Sequence, residues 1–348
     1  MIKYFEYNQE LRLESGQSLP RFTLAYQTFG NLNKNKSNAI WVIHALTGDS
    51  NVTDWWDGVV GPGKAIDTNQ YFVVCANTLG SHYGSTCSLS INPKTGHKYY
   101  HDFPTLTNRD ITRSFSKLAD HLQLESISSL IGPSLGGQQA LEWSILEPQR
   151  FNKLVLIATN ALHSAYGIAF NESQRMAIEL DPTWHNNTDA SGINGMKVAR
   201  SVALISYRTK YGYDHTQQEE TNEMKKTYKA SSYQRYQGEK LAQRFNAYSY
   251  YQFSKAMDSH NLGRGRTSIE DTLSSLKIKT LIIGIDSDIL FPAAEQEYLA
   301  KHIRDSQLEI ISSKYGHDGF LTESDIVSKL LHSFLDEAVD VESELLSI

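Results

Sequence analysis

Short apolar runs rich in β-branched residues recur along the chain, with helix-forming stretches between them. That alternation limits the possible fold more than any other feature. The runs are Ala39 to Ala45 (AIWVIHA), Tyr71 to Ala76 (YFVVCA), Ser128 to Gly132 (SSLIG), Lys153 to Thr159 (KLVLIAT), Lys279 to Ile285 (KTLIIGI) and Gln307 to Ser312 (QLEIIS). Nearly continuous apolar character marks strands covered on both faces, the condition of a parallel sheet between two helical layers. Ile111 to Leu122 sets Phe115, Leu118, Ala119 and Leu122 on one helical face, with Asp110 as the expected N-cap. Asp325 to Ala338 repeats the pattern through Ile326, Leu330, Leu331 and Phe334. The expected fold class is therefore α/β, a mostly parallel, doubly wound sheet.

The rhythm breaks between about Leu162 and Arg266, where the sequence turns polar, rich in Tyr, Gln and Lys, and helix-forming. Strands resume at Lys279, so this block reads as a helical cap inserted between two strands of one sheet. The division is residues 1–162 and 267–348 for the core and 163–266 for the cap. A length of 348 residues accommodates one large domain with such an insertion.

A net charge of -6 argues against nucleic acid as a partner, because a phosphate-tracking surface is strongly basic. Two cysteines, Cys75 and Cys87, make neither a disulfide framework nor a zinc pair. The opening MIKYFEYNQELRLESG lacks the apolar core of a secretory signal. No apolar run approaches the ~20 residues of a membrane span. The expectation is a reduced, cytoplasmic, soluble protein with no metal and no membrane partner.

Chemistry concentrates in Ser128 to Pro148, SSLIGPSLGGQQALEWSILEP. A strand runs into Gly132-Pro133-Ser134-Leu135-Gly136 and a helix follows directly. G-x-S-x-G between strand and helix is the nucleophile elbow of the α/β-hydrolase fold. Glycines let neighbouring backbone approach the sharp turn, and the helix N-terminus faces the position of a developing oxyanion. A serine hydroxyl needs a positioned base held by a carboxylate, and this fold supplies them in the order Ser, Asp, His. KTLIIGI leads to Asp286 and Asp288, of which Asp288 is preferred because Leu-Phe-Pro after it turns into the next helix. QLEIISS leads to His317 in a glycine-flanked loop. The oxyanion hole is expected from the backbone N–H groups of Leu135 and Leu46, the latter in the loop after AIWVIHA, with His44 a local structural residue.

Short stretches across most of the chain then carry a family resemblance. They include His44-Ala-Leu-Thr-Gly-Asp49, Trp55-Trp-Asp-Gly58, Gly61-Pro-Gly-Lys64, Tyr83-Gly-Ser-Thr86, Ser90-Ile-Asn-Pro93 and Phe103-Pro-Thr-Leu-Thr-Asn-Arg-Asp110. Tyr233-Gln-Arg-Tyr-Gln-Gly238 and Tyr315-Gly-His-Asp318 complete the set. Together with the elbow, they make the chain resemble the homoserine O-acetyltransferases, acyltransferases of methionine biosynthesis related to α/β-hydrolases. The resemblance implies acetyl-CoA as acyl-donor substrate, L-homoserine as acceptor, no permanently bound cofactor, and a homodimer through the helical cap. It also implies that Asp318 and Arg208 contact the amino acid, a carboxylate for the ammonium group and a guanidinium for the carboxylate.

The chain departs from the family pattern at Pro133 and Leu135, at Cys87-Ser88, and at Asn246 and Tyr248 in the cap. Leu290 stands where family members using succinyl-CoA carry an arginine, which favours acetyl transfer. Transfer of a succinyl group, transfer to serine, and hydrolysis on the same fold remain alternative readings, as does a catalytically inactive binding protein.

Overall fold

The apolar runs pair into one eight-stranded sheet in the computed structural model, which describes residues 1–337. In chain order the strands are β1 (Lys3–Tyr7), β2 (Phe22–Phe29), β3 (Ala39–Val42), β4 (Phe72–Ala76), β5 (Ile127–Pro133), β6 (Phe151–Ile157), β7 (Lys279–Ile285) and β8 (Ser306–Ile311). Their spatial order is β1-β2-β4-β3-β5-β6-β7-β8. All neighbours are parallel except β1 with β2 and β2 with β4. The order reverses around β3, which lies between β4 and β5. Loops leaving the carboxyl ends of β3 and β5 therefore meet at a topological switch point, where α/β sheets open a crevice.

Burial on both faces explains the apolar runs. Trp41, Leu130, Leu154, Leu156 and Ile282 point into one core, while Ile40, Val42, Ile131, Val155, Ile157 and Ile283 point into the other. Helices α1 (Asn108–His121) and α2 (Leu135–Leu146) cover the first face with Ile111, Phe115, Leu118, Leu141 and Trp143. The last helix (Ser324–Asp336) covers the second with Val327, Leu331 and Phe334.

Several boundaries differ from the sequence reading. Thr107, not Asp110, is the N-cap of α1: its hydroxyl accepts from Asp110 N–H, and the Asp110 carboxylate accepts from Thr107 N–H. An acid at the third helical position closes this reciprocal cap, so the helix starts three residues earlier. Regular pairing in AIWVIHA stops at Val42, because the chain turns into a loop after Ile43 donates to Ile131 O. Tyr71 belongs to a turn, its N–H bonded to Asp67 O. The final helix starts at Ser324 and ends at Asp336; Ala338, and residues 338–348 with it, lie outside the described residues. Strands β1 and β2 lie outside the apolar runs: they form the antiparallel side of the sheet, β1 is mostly exposed, and β2 alternates buried apolar residues with half-buried Thr23, Gln27 and Thr28.

Between β6 and β7 come α3 (Ala165–Glu179), α4 (Ile193–Tyr207), α5 (Lys210–Gln217), α6 (Lys229–Ala242) and α7 (Ala247–Asp258). The two ends of this excursion are clasped together. His163 N–H donates to His260 O at 3.0 Å and Leu262 N–H to Ala161 O at 3.0 Å. No helix among the described residues is long and apolar enough to cross a membrane.

Lys153 shows how the sheet holds the last helix. It sits in β6, buried, and its ammonium donates to the carbonyls of Phe334 and Leu335 at 2.8 Å and of Glu337 at 2.5 Å. These are the terminal carbonyls that no helical N–H can satisfy. Lys153→Met removes every donor while keeping the chain length. We expect it to cost about 1–3 kcal/mol of stability in a denaturant titration, and an unchanged midpoint would refute this capping role.

Candidate active site

The elbow is built by close approach. Ser134 follows β5 with φ 55° and ψ -124°, a positive φ that a non-glycine residue adopts only under constraint. A Cβ on Gly132 would lie 2.2 Å from Gly136 O, and one on Gly136 would lie 2.4 Å from Ile43 O. Both positions thus require glycine, and Gly136 presses the elbow against the loop after β3. The strained residue is pinned at both ends. Ser134 N–H donates to Ile157 O at 2.8 Å, and Ser134 O accepts from Gly137 N–H and from Thr159 Oγ1, each at 2.9 Å.

Two loops bring partners to the serine. His317 lies in a short turn after β8, with Nε2 2.8 Å from Ser134 Oγ and Nδ1 2.6 Å from Asp288 Oδ2. All three residues are at least 95% shielded from solvent. The carboxylate must accept from Nδ1–H, which leaves Nε2 as the acceptor for the serine proton. Asp288 Oδ1 accepts from Leu290 N–H at 2.8 Å and Phe291 N–H at 3.0 Å, so the carboxylate is fixed before it meets the imidazole. Asp286 faces elsewhere and accepts from Ser313 N–H. Ser287 ties the two loops together, donating to Ser313 O and accepting from Gly316 N–H. The imidazole ring stacks on Phe291 at 5.1 Å and borders Tyr207 and Phe320 at 5.7 Å. Burial alone would push the His317 pKa down; the Asp288 carboxylate outweighs it, and the net displacement is upward.

Leu46 and Leu135 face the same space as members of one apolar cluster. Neither N–H has a hydrogen-bonding partner among the described residues. The Leu46 loop is held by His44, whose Nδ1–H donates to Ala45 O at 2.8 Å while Nε2 accepts from Thr78 N–H at 3.1 Å. Burial lowers the His44 pKa and keeps the ring neutral. The cap closes over these groups with Met196, Tyr250 and Phe253, which join Leu46, Leu135, Leu290 and Phe291 in the cluster.

Arg208 and Asp318 are brought together. Arg208 Nε donates to Asp318 Oδ2 at 3.1 Å, and the guanidinium lies 5.5 Å from the Tyr233 ring. Arg208 also lines a cavity of 720 Å³ with Tyr213, Ser287 and Ile289, between the cap and the Asp288 loop.

Behind the elbow lies a polar layer that no sequence motif marked. Gln296 Nε2 donates to Thr159 O at 2.6 Å, Asn160 Nδ2 to Glu295 Oε2 at 2.9 Å, and Gln138 Nε2 to Asn160 Oδ1 at 3.0 Å. Glu295 and Gln296 open the helix Ala293–His302, where the sequence reads only as an ordinary acidic first turn. Burial, with the Asp288 charge added, raises the Glu295 pKa to about 7, although the Asn160 bond opposes this.

A family model described as alpha/beta hydrolase fold matches residues 38–324. Homoserine O-acetyltransferase of Cyclobacterium marinum is 49% identical over 335 residues, covering 96% of this chain and 95% of that protein. A crystal structure of homoserine O-acetyltransferase from Bacillus anthracis matches with a TM-score of 0.86 at 25% identity, covering 97% of this chain and 99% of that one. Esterase E22 matches with a TM-score of 0.87 at 24% identity, over 97% of this chain and 100% of that one, a likeness of fold alone.

Glu295 gives the site a pH-dependent stability. With a folded pKa near 7 against an ordinary 4.5, the folded state retains a proton that the unfolded chain has released between those values. Wild-type stability therefore declines as pH rises through that window, and Glu295→Gln escapes the decline. Unfolding midpoints should show the variant gaining on wild type from pH 4.5 to 7.5 and holding its lead above. A gap independent of pH would contradict this assignment.

Proposed function

The chain belongs to the α/β-hydrolase fold family and, within it, to the homoserine O-acetyltransferases, and from that premise we propose that Ser134 carries an acetyl group from acetyl-CoA to the side-chain hydroxyl of L-homoserine. The observation that carries the reading is the continuous Ser134–His317–Asp288 relay beneath an apolar cap. His317 Nε2 takes the Ser134 proton as Oγ attacks the thioester carbonyl. The C–S bond breaks, and CoA leaves as a thiol with the proton returned by His317. The homoserine hydroxyl then gives its proton to Nε2 and attacks the acyl carbonyl. The bond to Ser134 breaks, and the serine recovers its proton. Asp288 orients the imidazole and stabilises its cationic form, while the free N–H groups of Leu46 and Leu135 hold the oxyanion in both halves.

Asp318 suits the acceptor's ammonium group and Arg208 its carboxylate. The two are bonded to one another, so a zwitterion would compete with an existing ion pair for both. Leu290, buried beside Asp288, offers an apolar wall that suits a methyl group better than a succinyl carboxylate. The apolar cap cluster favours an acceptor that displaces water over water itself. Residues 163–266 form the cap in this reading and the remainder the core. Val198, Ile205 and Tyr236, exposed on α4 and α6, support pairing of two copies through the cap.

Ser134→Ala should abolish acetyl-enzyme formation, read by mass spectrometry, with the circular dichroism spectrum retained; undiminished turnover would sink the mechanism. Because the base must be neutral, kcat/KM for acetyl-CoA should fall as pH drops through a pKa above 6.5. Asp288→Asn removes the charge that raises it. That limb should move to lower pH, and kcat should fall by roughly 10³–10⁴. A CoA-release assay crossing acetyl- and succinyl-CoA with homoserine, serine and water tests the substrates. Release unaffected by homoserine would assign a hydrolase instead.

A further inference from the structure

Each of the two peptides assigned above to the oxyanion has its carbonyl bound by a buried side chain. The Leu135 N–H shares a peptide with Ser134 O, which accepts from Thr159 Oγ1 and Gly137 N–H at 2.9 Å and from Gln138 N–H at 3.2 Å. The Leu46 N–H shares a peptide with Ala45 O, which accepts from His44 Nδ1–H at 2.8 Å and from Gly48 N–H at 2.9 Å. In both cases the backbone donor lies two residues beyond the leucine, and the side chain is buried. A trans peptide is planar, with its C=O and N–H pointing opposite ways. Donors gathered on the oxygen therefore aim the N–H away from themselves. They also draw electron density through the amide and strengthen its N–H as a donor.

His44 is a neighbour of the peptide it binds, whereas Thr159 reaches Ser134 from 25 residues away in sequence. Its place is prepared by a second strained residue. Ile157 pairs with Pro133 in the parallel ladder, so Ala158 follows β6 as Ser134 follows β5, and Ala158 also has a positive φ, 46°. Its N–H donates to Ile283 O at 2.8 Å. Thr159 is then fully buried against the elbow, where a Cβ on Gly137 would lie 2.6 Å from the threonine Cβ and Cγ2. Gln296, fully buried as well, holds the Thr159 carbonyl at 2.6 Å. A carbonyl oxygen has two lone pairs, and the first turn of α2 already supplies Ser134 O with two N–H donors. The Thr159 hydroxyl is a third, surplus to what the helix requires.

Resting on the acyl-serine mechanism proposed above, we propose that Thr159 is a positioning residue for the oxyanion: through Ser134 O it aims and strengthens the Leu135 N–H. Charge develops on the acyl oxygen only as the tetrahedral species forms, so this contribution belongs to the transition state of both half-reactions and not to substrate binding.

Thr159→Val keeps the branched shape and removes the donor, while Thr159→Ser keeps the donor and removes the methyl group. In the valine variant, kcat/KM for acetyl-CoA and for L-homoserine should both fall roughly 10-fold, less than the roughly 10²–10³ lost when an oxyanion donor is deleted outright. The inhibition constant of methylboronic acid should rise by a similar factor. In that adduct Ser134 Oγ bonds to boron and its proton passes to His317, leaving a tetrahedral anion on the serine. The Kd for CoA should move by less than about threefold. The acidic limb of kcat/KM should stay where it is in wild type, because His317 is untouched. Serine should recover most of the loss. Thermal midpoints establish that the variants fold, and Thr159→Cys, whose thiol is a weak donor, replaces valine if that variant does not.

Equal losses in the valine and serine variants would assign the effect to packing against Gly137. A matching loss of CoA affinity, a displaced acidic limb or an unchanged inhibition constant for the boronic acid would assign it to general distortion of the site. Any of these, or valine kinetics like those of wild type, overturns the assignment while the acyl-serine mechanism stands. Failure of the wild-type enzyme to form an acetyl-enzyme would remove that mechanism itself, before any variant is compared.

Discussion

The contact between Gly136 and the Ile43 carbonyl is the constraint on which the rest of the site depends. It lets the elbow after β5 lean on the loop after β3, and it lets Ser134 occupy a conformation that costs about 1–3 kcal/mol wherever the fold does not impose it. Bonds at both ends of the Ser134 peptide hold that conformation in place. One consequence is positional: the hydroxyl stands clear of the sheet edge. The other is electrostatic, since the N–H groups of Leu46 and Leu135 are brought to one space without partners of their own among the described residues.

Charge around the elbow is arranged in layers. In front, a carboxylate fixed by two backbone N–H groups holds an imidazole already bonded to the serine. Behind, Gln138, Asn160 and Glu295 form a polar backing whose carboxyl group is protonated more readily because it is buried and, secondarily, because Asp288 is close. Above, the cap contributes apolar side chains and the guanidinium group of Arg208. The core supplies groups suited to bond exchange, and the cap supplies groups suited to recognition.

Much of this was legible in the sequence because a few physical rules act locally. Strands buried on both faces advertise themselves as apolar runs, and six of the eight were found that way. The elbow shows in its glycines, whose absent Cβ atoms the backbone contacts require. Asp288 and His317 show through their place after successive strands. What escaped notice depends on contacts between distant segments. Strand β1 is mostly exposed at the sheet edge, and β2 interleaves apolar residues with half-buried Thr23, Gln27 and Thr28, so neither reads as a continuous apolar run. At the start of α1, Asp110 has the residue type of a cap but completes the cap that Thr107 begins. Nothing near Glu295 in sequence sets it apart. It is marked by its burial behind the elbow, against Asn160 from a distant segment.

The clasp joining Ala161 and His163 to His260 and Leu262 has a wider consequence. Free closure of a loop costs only about (3/2)RT ln n, so a long excursion is scarcely dearer than a short one once its ends are joined. Seen from the sheet, about a hundred residues of cap behave as one tight turn between β6 and β7. Selectivity can then be rewritten in that turn, residue by residue, without reopening the question of whether the sheet folds or where its serine stands.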